Sequence, residues 1–217
     1  DSQFEIVGLL GRKDDLATEI KTHSPDLVLD FTLASVAFEN ATAIIKAGVT
    51  PIIGTSGLTS DNTNDLTQLA SSHKVGGLIV PNFSLTAVLM MKYAQDAAKY
   101  LKNVELVEYH HEKKEEAPSG TAIRTAELIE QSQIESRPRG HEMVAGSLGG
   151  EYKNLPIHSV RMPGFVASQE VIFGDEGESL ILRSNAISRA AFKKGIRIAC
   201  AAAPQLKNLQ VGLETIL

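Results

Sequence analysis

The sequence predicts an α/β protein in which a parallel-sheet domain is followed by a smaller α+β domain built on a mixed sheet. Over the first 80 residues, apolar strand-like runs alternate with helical patterns of about ten residues, which is typical of βαβ units. Beyond residue 101, several strand-like runs follow one another without a helix between them, which favours a mixed or antiparallel sheet. The composition, 43% hydrophobic and 22% charged over 217 residues, is that of a globular chain.

The first part of the chain supplies the parallel sheet. Short apolar runs bounded by glycine, proline or charged residues predict strands, and the amphipathic segments between them predict crossover helices. The predicted strands are Phe4–Leu10, Asp26–Phe31, Pro51–Gly54 and Gly77–Val80, and the predicted helices are Val36–Ala47 and Asp61–Ser72. Ligands of such sheets bind outside the carboxyl ends of the strands.

The second part has a different order of elements. It predicts a long amphipathic helix, a strand, a helix and a glycine-containing loop, then three strands and a final apolar helix. In chain order these are Leu85–Leu101, Val104–His111, Ala122–Gln131, Arg137–Glu151, Ile157–Arg161, Ser168–Phe173, Leu180–Asn185 and Ala190–Ala203. We expect the final helix to pack back on the first domain. This predicts one domain of residues 1–83 with 190–217 and a second of residues 84–189.

Charge, hydropathy and cysteine content exclude several classes of protein. A net charge of −5 without a basic cluster argues against nucleic acid as a partner. No apolar stretch approaches the length of a membrane span. Cys200 is the only cysteine and lies in an apolar run, which indicates a core thiol. We therefore expect a cytoplasmic protein.

The densest chemical signal runs from Glu108 to Ala122. Adjacent residues His110 and His111 at a strand end point to opposite sides, so we expect no shared metal ion. Lys114 follows closely, and the turn Pro118–Thr121 opens a helix whose unpaired N–H groups attract anions. An acid, a cation and a helix N-terminus together predict a carboxylate-binding site with a proton donor beside it.

The string from His110 to Ala122 resembles the signature of the dihydrodipicolinate reductases, enzymes of bacterial lysine and diaminopimelate synthesis. Further blocks resemble that family in the same order along essentially the whole chain. They are Asp30-Phe31-Thr32, Ile53–Gly57, Pro81–Ser84, Ser159–Gly164 and Ser188–Gly195. The resemblance implies a Rossmann-like cofactor domain and a mixed-sheet domain that binds substrate and forms a homotetramer.

The resemblance also implies roles for particular residues. His110 would donate a proton and Lys114 would be its catalytic partner, while His111, Gly120 and Thr121 would hold the carboxylates of an unsaturated cyclic imine substrate. NADPH or NADH would supply a hydride. The residues expected to contact that dinucleotide are Gly54, Thr55, Ser56, Val80, Pro81, Asn82 and Phe83.

The start of the chain departs from the family pattern. The expected glycine-rich pyrophosphate loop is missing, since Gly8-Leu9-Leu10-Gly11 leads into charged residues and fails the fingerprint context. We therefore expect the first βα unit to be absent and the predicted strand Phe4–Leu10 to be the second strand of the sheet. The turn after it carries Arg12 and Lys13 before any acid, which favours NADPH over NADH through the 2′-phosphate.

Two alternative functions remain at this point. Another Rossmann-type dehydrogenase of aspartate-derived metabolites would share the architecture but needs a nucleophilic cysteine or a different lysine position, and Cys200 is a poor nucleophile. A non-catalytic ligand-binding homologue would keep the fold without turnover, and the missing phosphate loop favours it.

Overall fold

The computed structural model describes residues 3–55, 57–132, 134 and 140–217, which form two compact units. Unit 1 comprises residues 1–83 and 194–217, and unit 2 comprises residues 84–193. Unit 2 is thus an insertion between the two segments of unit 1.

Unit 1 is a four-stranded, all-parallel sheet in the order β1-β2-β3-β9. Its elements are α1 (Leu16–His23), β1 (Leu27–Asp30), α2 (Ala34–Lys46), β2 (Thr50–Ile53), α3 (Ser60–His73), β3 (Gly77–Ile79) and β9 (Leu209–Val211). Helix α6 (Phe192–Ala202) begins at the end of unit 2 and continues into unit 1. The strands and helices predicted between residues 26 and 80 are confirmed.

Apolar packing between the helices and the sheet stabilises unit 1. Ile44 and Ile45 of α2, Ile53 of β2 and Leu66 of α3 are fully buried in one cluster. On α2, the buried residues Ala37, Ala41, Ile44 and Ile45 have the spacing of an amphipathic helix whose apolar stripe faces a sheet. This core fixes the carboxyl ends of β1, β2 and β3 side by side.

The predicted strand Phe4–Leu10 is wrong. These residues form no strand, and Ile6 and Leu9 are 75% and 87% exposed. A strand is held by ladder hydrogen bonds to a neighbour, and among the described residues none pairs with residues 4–10. The alternating apolar pattern of residues 4–10 was therefore not enough to form a strand. These residues are not the second strand of the sheet, contrary to the prediction from the sequence.

Unit 2 is a five-stranded mixed sheet in the order β5-β6-β4-β7-β8, covered on one face by two helices. Its elements are α4 (Leu85–Ala97), β4 (Asn103–His110), α5 (Gly120–Glu130), β5 (Gly150–Tyr152), β6 (Leu155–Arg161), β7 (Ala167–Asp175) and β8 (Glu178–Ala186). The central strand β4 runs parallel to β6 and antiparallel to β7. The mixed sheet predicted for the second domain is confirmed.

One α-helix and two β-strands of the described residues were missed in the sequence. Helix α1 begins after Asp15, whose side chain accepts from Thr18 N–H as an N-cap, and Leu16 and Ile20 have the i, i+4 spacing of a helix. Strands β5 and β9 have only three residues each. Part of the predicted loop Arg137–Glu151, residues 137–139, lies outside the described residues.

Two general features bear on function. Of the helices that the structure describes, none is long and apolar enough to cross a membrane. Within the described part of the chain, no three histidine, cysteine, aspartate or glutamate residues are grouped as metal ligands.

Candidate active site

The end of β4 places a histidine beside a buried carboxylate. Glu108 and His110 are two residues apart on one strand, so their side chains lie on the same face of the sheet. His110 Nδ1 lies 2.8 Å from Glu108 Oε2, and the side chain of Glu108 is fully buried. Among the described residues, neither atom has a well-aligned hydrogen-bonding partner. His111 follows the end of the strand and is exposed.

The other oxygen of Glu108 binds two further elements. Its Oε1 accepts from Arg161 Nη2 at 2.7 Å and from Ser119 N–H at 3.3 Å. Burial by itself raises the pKa of Glu108, but the imidazole of His110 at 2.8 Å and hydrogen bonds from Ser159, Arg161 and Ser119 outweigh it and lower the pKa to about 2. Glu108 is therefore an anion at neutral pH.

The N-terminus of α5 has a serine cap followed by a glycine. Ser119 is its N-cap and accepts from Ala122 N–H at 3.2 Å. Gly120 and Thr121 are the first two residues of the helix, and the N-terminus of a helix attracts anions. An added Cβ at Gly120 would meet no atom within 4 Å. Packing therefore does not require glycine at this position.

Arg161 fixes the loop that carries Lys114. Its Nε donates to the carbonyl of Lys114 at 3.2 Å and its Nη2 to the carbonyl of Glu116 at 2.6 Å. Lys114 Nζ lies 3.0 Å from Glu116 Oε2. A single guanidinium therefore connects Glu108, beside His110, to the Lys114 loop.

In unit 1, the carboxyl ends of β1 and β2 surround a buried carboxylate. Asp30 accepts from Thr32 N–H and Thr55 Oγ1, both at 2.7 Å, and from Asn40 Nδ2 at 2.9 Å. Burial opposes ionisation of Asp30, but these donors prevail and lower its pKa. The Thr55 hydroxyl therefore donates to Asp30 and presents only its lone pairs elsewhere.

Other residues at this edge differ in accessibility. A Cβ at Gly54 would collide with the rings of Phe31 and Phe83, which pack edge to face. The side chains of Val80 and Phe83 are buried, whereas that of Pro81 is exposed and that of Asn82 is half-buried. Of Val80 and Phe83, only the backbone is therefore available to a ligand. Ser56 lies outside the described residues.

Arg12 and Lys13 are exposed in the turn that precedes α1. Asp14 closes that turn, since its Oδ2 accepts from Gly11 N–H at 2.7 Å. The nearest acid is thus bonded to its own turn, and two cations project from it.

Sequence reasoning missed two residues of the unit 2 site. Glu108 and Arg161 stood in recognisable blocks, but no role followed from them. The two-residue spacing of Glu108 and His110 on a strand was the available signal. The contact with Arg161 depends on the pairing of β4 with β6, where His110 and Arg161 are register partners.

Comparisons with known proteins agree along the whole chain. The family model described as dihydrodipicolinate reductase, N-terminus, matches residues 5–83, and that described as dihydrodipicolinate reductase, C-terminus, matches residues 86–217. The 4-hydroxy-tetrahydrodipicolinate reductase of Legionella pneumophila (strain Paris) is 43% identical, covering 99% of this chain and 89% of the relative. That of Geobacillus thermodenitrificans (strain NG80-2) is 45% identical, covering 92% and 76%.

A solved structure has the same fold. The dipicolinate-bound dihydrodipicolinate reductase from Paenisporosarcina sp. TG-14 superposes with a TM-score of 0.85 at 40% identity, covering 94% of this chain and 78% of that one. The resemblance noted in the sequence is confirmed by these matches. The chain therefore belongs to the dihydrodipicolinate reductase family, the nicotinamide-nucleotide-dependent oxidoreductases of lysine and diaminopimelate biosynthesis.

Proposed function

We propose that residues 84–189 bind the substrate dicarboxylate and that His110 protonates it during reduction of 4-hydroxy-tetrahydrodipicolinate. The observation that carries this proposal is the Glu108–Arg161 pair, which connects His110, the Lys114 loop and the cap of α5. An acid, a cation and an anion-binding helix end are thereby held in one framework. A pyridine dicarboxylate bound to the Paenisporosarcina relative supports a small dicarboxylate ligand here.

Each site residue has a role that follows from its chemistry. Gly120 and Thr121 offer the N-terminus of α5 to a carboxylate, and the exposed ring of His111 offers a second donor. Lys114, in the loop held by Arg161, contributes a positive charge. His110 releases its proton to the substrate atom that becomes electron-rich when hydride adds.

Residues 1–83 with 190–217 are proposed to hold the dinucleotide. A bound nicotinamide nucleotide supplies the hydride. The carboxyl edge of the parallel sheet supports the fit of this nucleotide. At that edge Thr55 offers a hydrogen-bond acceptor, Asn82 and Pro81 lie at the surface, and Gly54 has no side chain to obstruct a ligand. The exposed cations at Arg12 and Lys13, with Asp14 bonded to its own turn, favour NADPH.

A homotetramer is proposed on the basis of the sheet of unit 2. Leu106 and Val171 point to the face covered by α4 and α5, whereas the next residues along the strands point away from it. On that opposite face Ile181 is 56% exposed, and Ile172 and Val107 are half-buried. This face also carries the Glu105–His158 and Glu170–Arg183 pairs. Exposed apolar side chains among such polar groups indicate an interaction surface.

Substitution of His110 and Lys114 tests the proposed roles. We expect His110→Ala and Lys114→Ala to lower kcat by roughly 10²–10⁴-fold, the usual contribution of general acid catalysis. Lys113→Ala, in the same loop, is the matched control and is expected to leave kcat unchanged. Nicotinamide oxidation followed with freshly prepared substrate measures all three. Wild-type turnover in both site variants would exclude these roles, and an inactive parent enzyme would favour a non-catalytic homologue.

A further inference from the structure

The proton transfer described above does not use Glu108, although Glu108 is the most completely buried charged group at the site. Its side chain has no exposure to solvent. Removing a carboxylate from water is costly unless charged and polar partners replace the water. Four groups do so: His110, Ser159, Arg161 and Ser119. So many partners fix the position of the carboxylate as well as its charge.

We propose that Glu108, anchored by Arg161, is a positioning residue for His110. It keeps one proton on Nδ1, directs Nε2 towards the substrate and stabilises the imidazolium. This inference rests on the proposed role of His110 as the proton donor. When His110 donates, its Nε2–H bond breaks and a bond from that proton to the substrate forms. The ring becomes neutral with its Nδ1 proton still facing Glu108, and solvent returns the lost proton.

The geometry supports this assignment over a purely structural pair. Glu108 Oε2 lies 2.8 Å from His110 Nδ1, and among the described residues neither atom has another hydrogen-bonding partner. All of the other bonds whose atoms are given use Oε1. One oxygen thus anchors the carboxylate, and the second is left to the imidazole.

The guanidinium of Arg161 is bound mainly to protein groups. Its Nε, Nη1 and Nη2 donate to the carbonyls of Lys114, Val160 and Glu116 and to the carboxylate of Glu108. These bonds use four of its five N–H donors, so the main effect of the guanidinium is to hold Glu108 and the Lys114 loop in place. Arg161 is therefore the support of the positioning residue.

The groups around the pair define its electrostatics. Strand β6 contributes the positive charge of Arg161 and the hydroxyl of Ser159, both of which contact Glu108. The N-cap of α5 contributes the N–H of Ser119. The β7 partners of Glu108 and His110 are Gln169 and Ala167, which are uncharged. Glu108 is therefore the anion nearest to His110, and its removal isolates one electrostatic effect.

The test compares Glu108→Gln with Glu105→Gln in the intact enzyme. Glu105 lies on the same strand but on its other face, with Oε2 also 2.8 Å from a histidine, His158. We expect E108Q to lower kcat on the order of 10²-fold, with the substrate KM within about threefold. E105Q should change neither quantity.

A second measurement does not depend on activity. Imidazole ¹⁵N chemical shifts, with His110 assigned by subtracting the spectrum of His110→Ala, report which ring nitrogen carries the proton. We expect Nδ1–H in the neutral ring of the parent enzyme and a mixture in E108Q. If E108Q fails to fold, Glu108→Asp carries the same test, because it keeps the charge and withdraws it by one carbon.

The outcomes separate this inference from the proposed function. An inactive His110→Ala together with a fully active E108Q and an unchanged tautomer overturns the positioning role alone. An active His110→Ala overturns the role of His110 as donor. An equal loss in E105Q and E108Q also overturns the inference, since the effect is then not specific to the covered face of β4.

Discussion

Gly120→Ala separates ligand binding from folding at the N-terminus of α5. The added Cβ meets no atom within 4 Å, and Gly120 does not have a positive φ. Alanine in a helix is more stable than glycine by roughly 0.5–1 kcal/mol, and less than this is expected in the first turn. The variant should therefore unfold at the same temperature as the parent or slightly above it.

Binding should change in the opposite direction. If a substrate carboxylate sits on the first turn of α5, the new methyl group occupies the space it needs and displaces it from the N–H groups. A hydrogen bond to a charged group contributes about 1.5–3 kcal/mol, which corresponds to a loss of affinity of about 10- to 150-fold. We expect the dissociation constant for dipicolinate and the KM for substrate to rise by this factor.

Calorimetric titration with dipicolinate and thermal unfolding of the same preparations measure both effects. Gly174→Ala in β7 is the matched control, because a Cβ there also meets no atom within 4 Å and its φ is not positive. Unchanged dipicolinate affinity in Gly120→Ala would show that no carboxylate binds this helix end. A fall in unfolding temperature would show that the glycine serves packing.

Three further predictions concern other parts of the molecule. Arg12→Ala should raise the KM for NADPH far more than that for NADH in steady-state assays, and equal effects would exclude a 2′-phosphate contact. The pKa of Glu108 is lowered to about 2, so its stabilisation is complete above about pH 4.5. This stabilisation is lost as pH falls towards 2. At neutral pH the parent and E108Q should differ in unfolding free energy by about 3–5 kcal/mol. This difference should shrink below about pH 4 on acid titration. Ile181→Asp should dissociate the proposed tetramer in native mass spectrometry, whereas an unchanged mass would place the interface elsewhere.

The sequence predicted most of the sheet of unit 1 because β1, β2 and β3 are apolar runs separated by amphipathic helices. The same logic failed for Phe4–Leu10, whose apolar residues stay exposed for want of a pairing strand. It also missed β9, a three-residue strand defined by its pairing with β3. Strand formation depends on partners as well as on local pattern.

The candidate site was likewise predicted where it is local in sequence and missed where it depends on the fold. His110, Lys114 and the turn before α5 are close in sequence, so a local motif was enough to propose them. Glu108 becomes informative only when its burial is known. Arg161 lies 53 residues from Glu108, and only the parallel register of β4 with β6 brings the two together.

The order of the strands also has a consequence for synthesis. β9 pairs with β3, yet residues 84–193 are made between them. During translation the edge of β3 therefore stays unpaired until the whole of unit 2 has been synthesised. Open strand edges promote aggregation. We expect nascent chains arrested before residue 209 to be held by chaperones or to aggregate, while unit 2 is already collapsing into its own core.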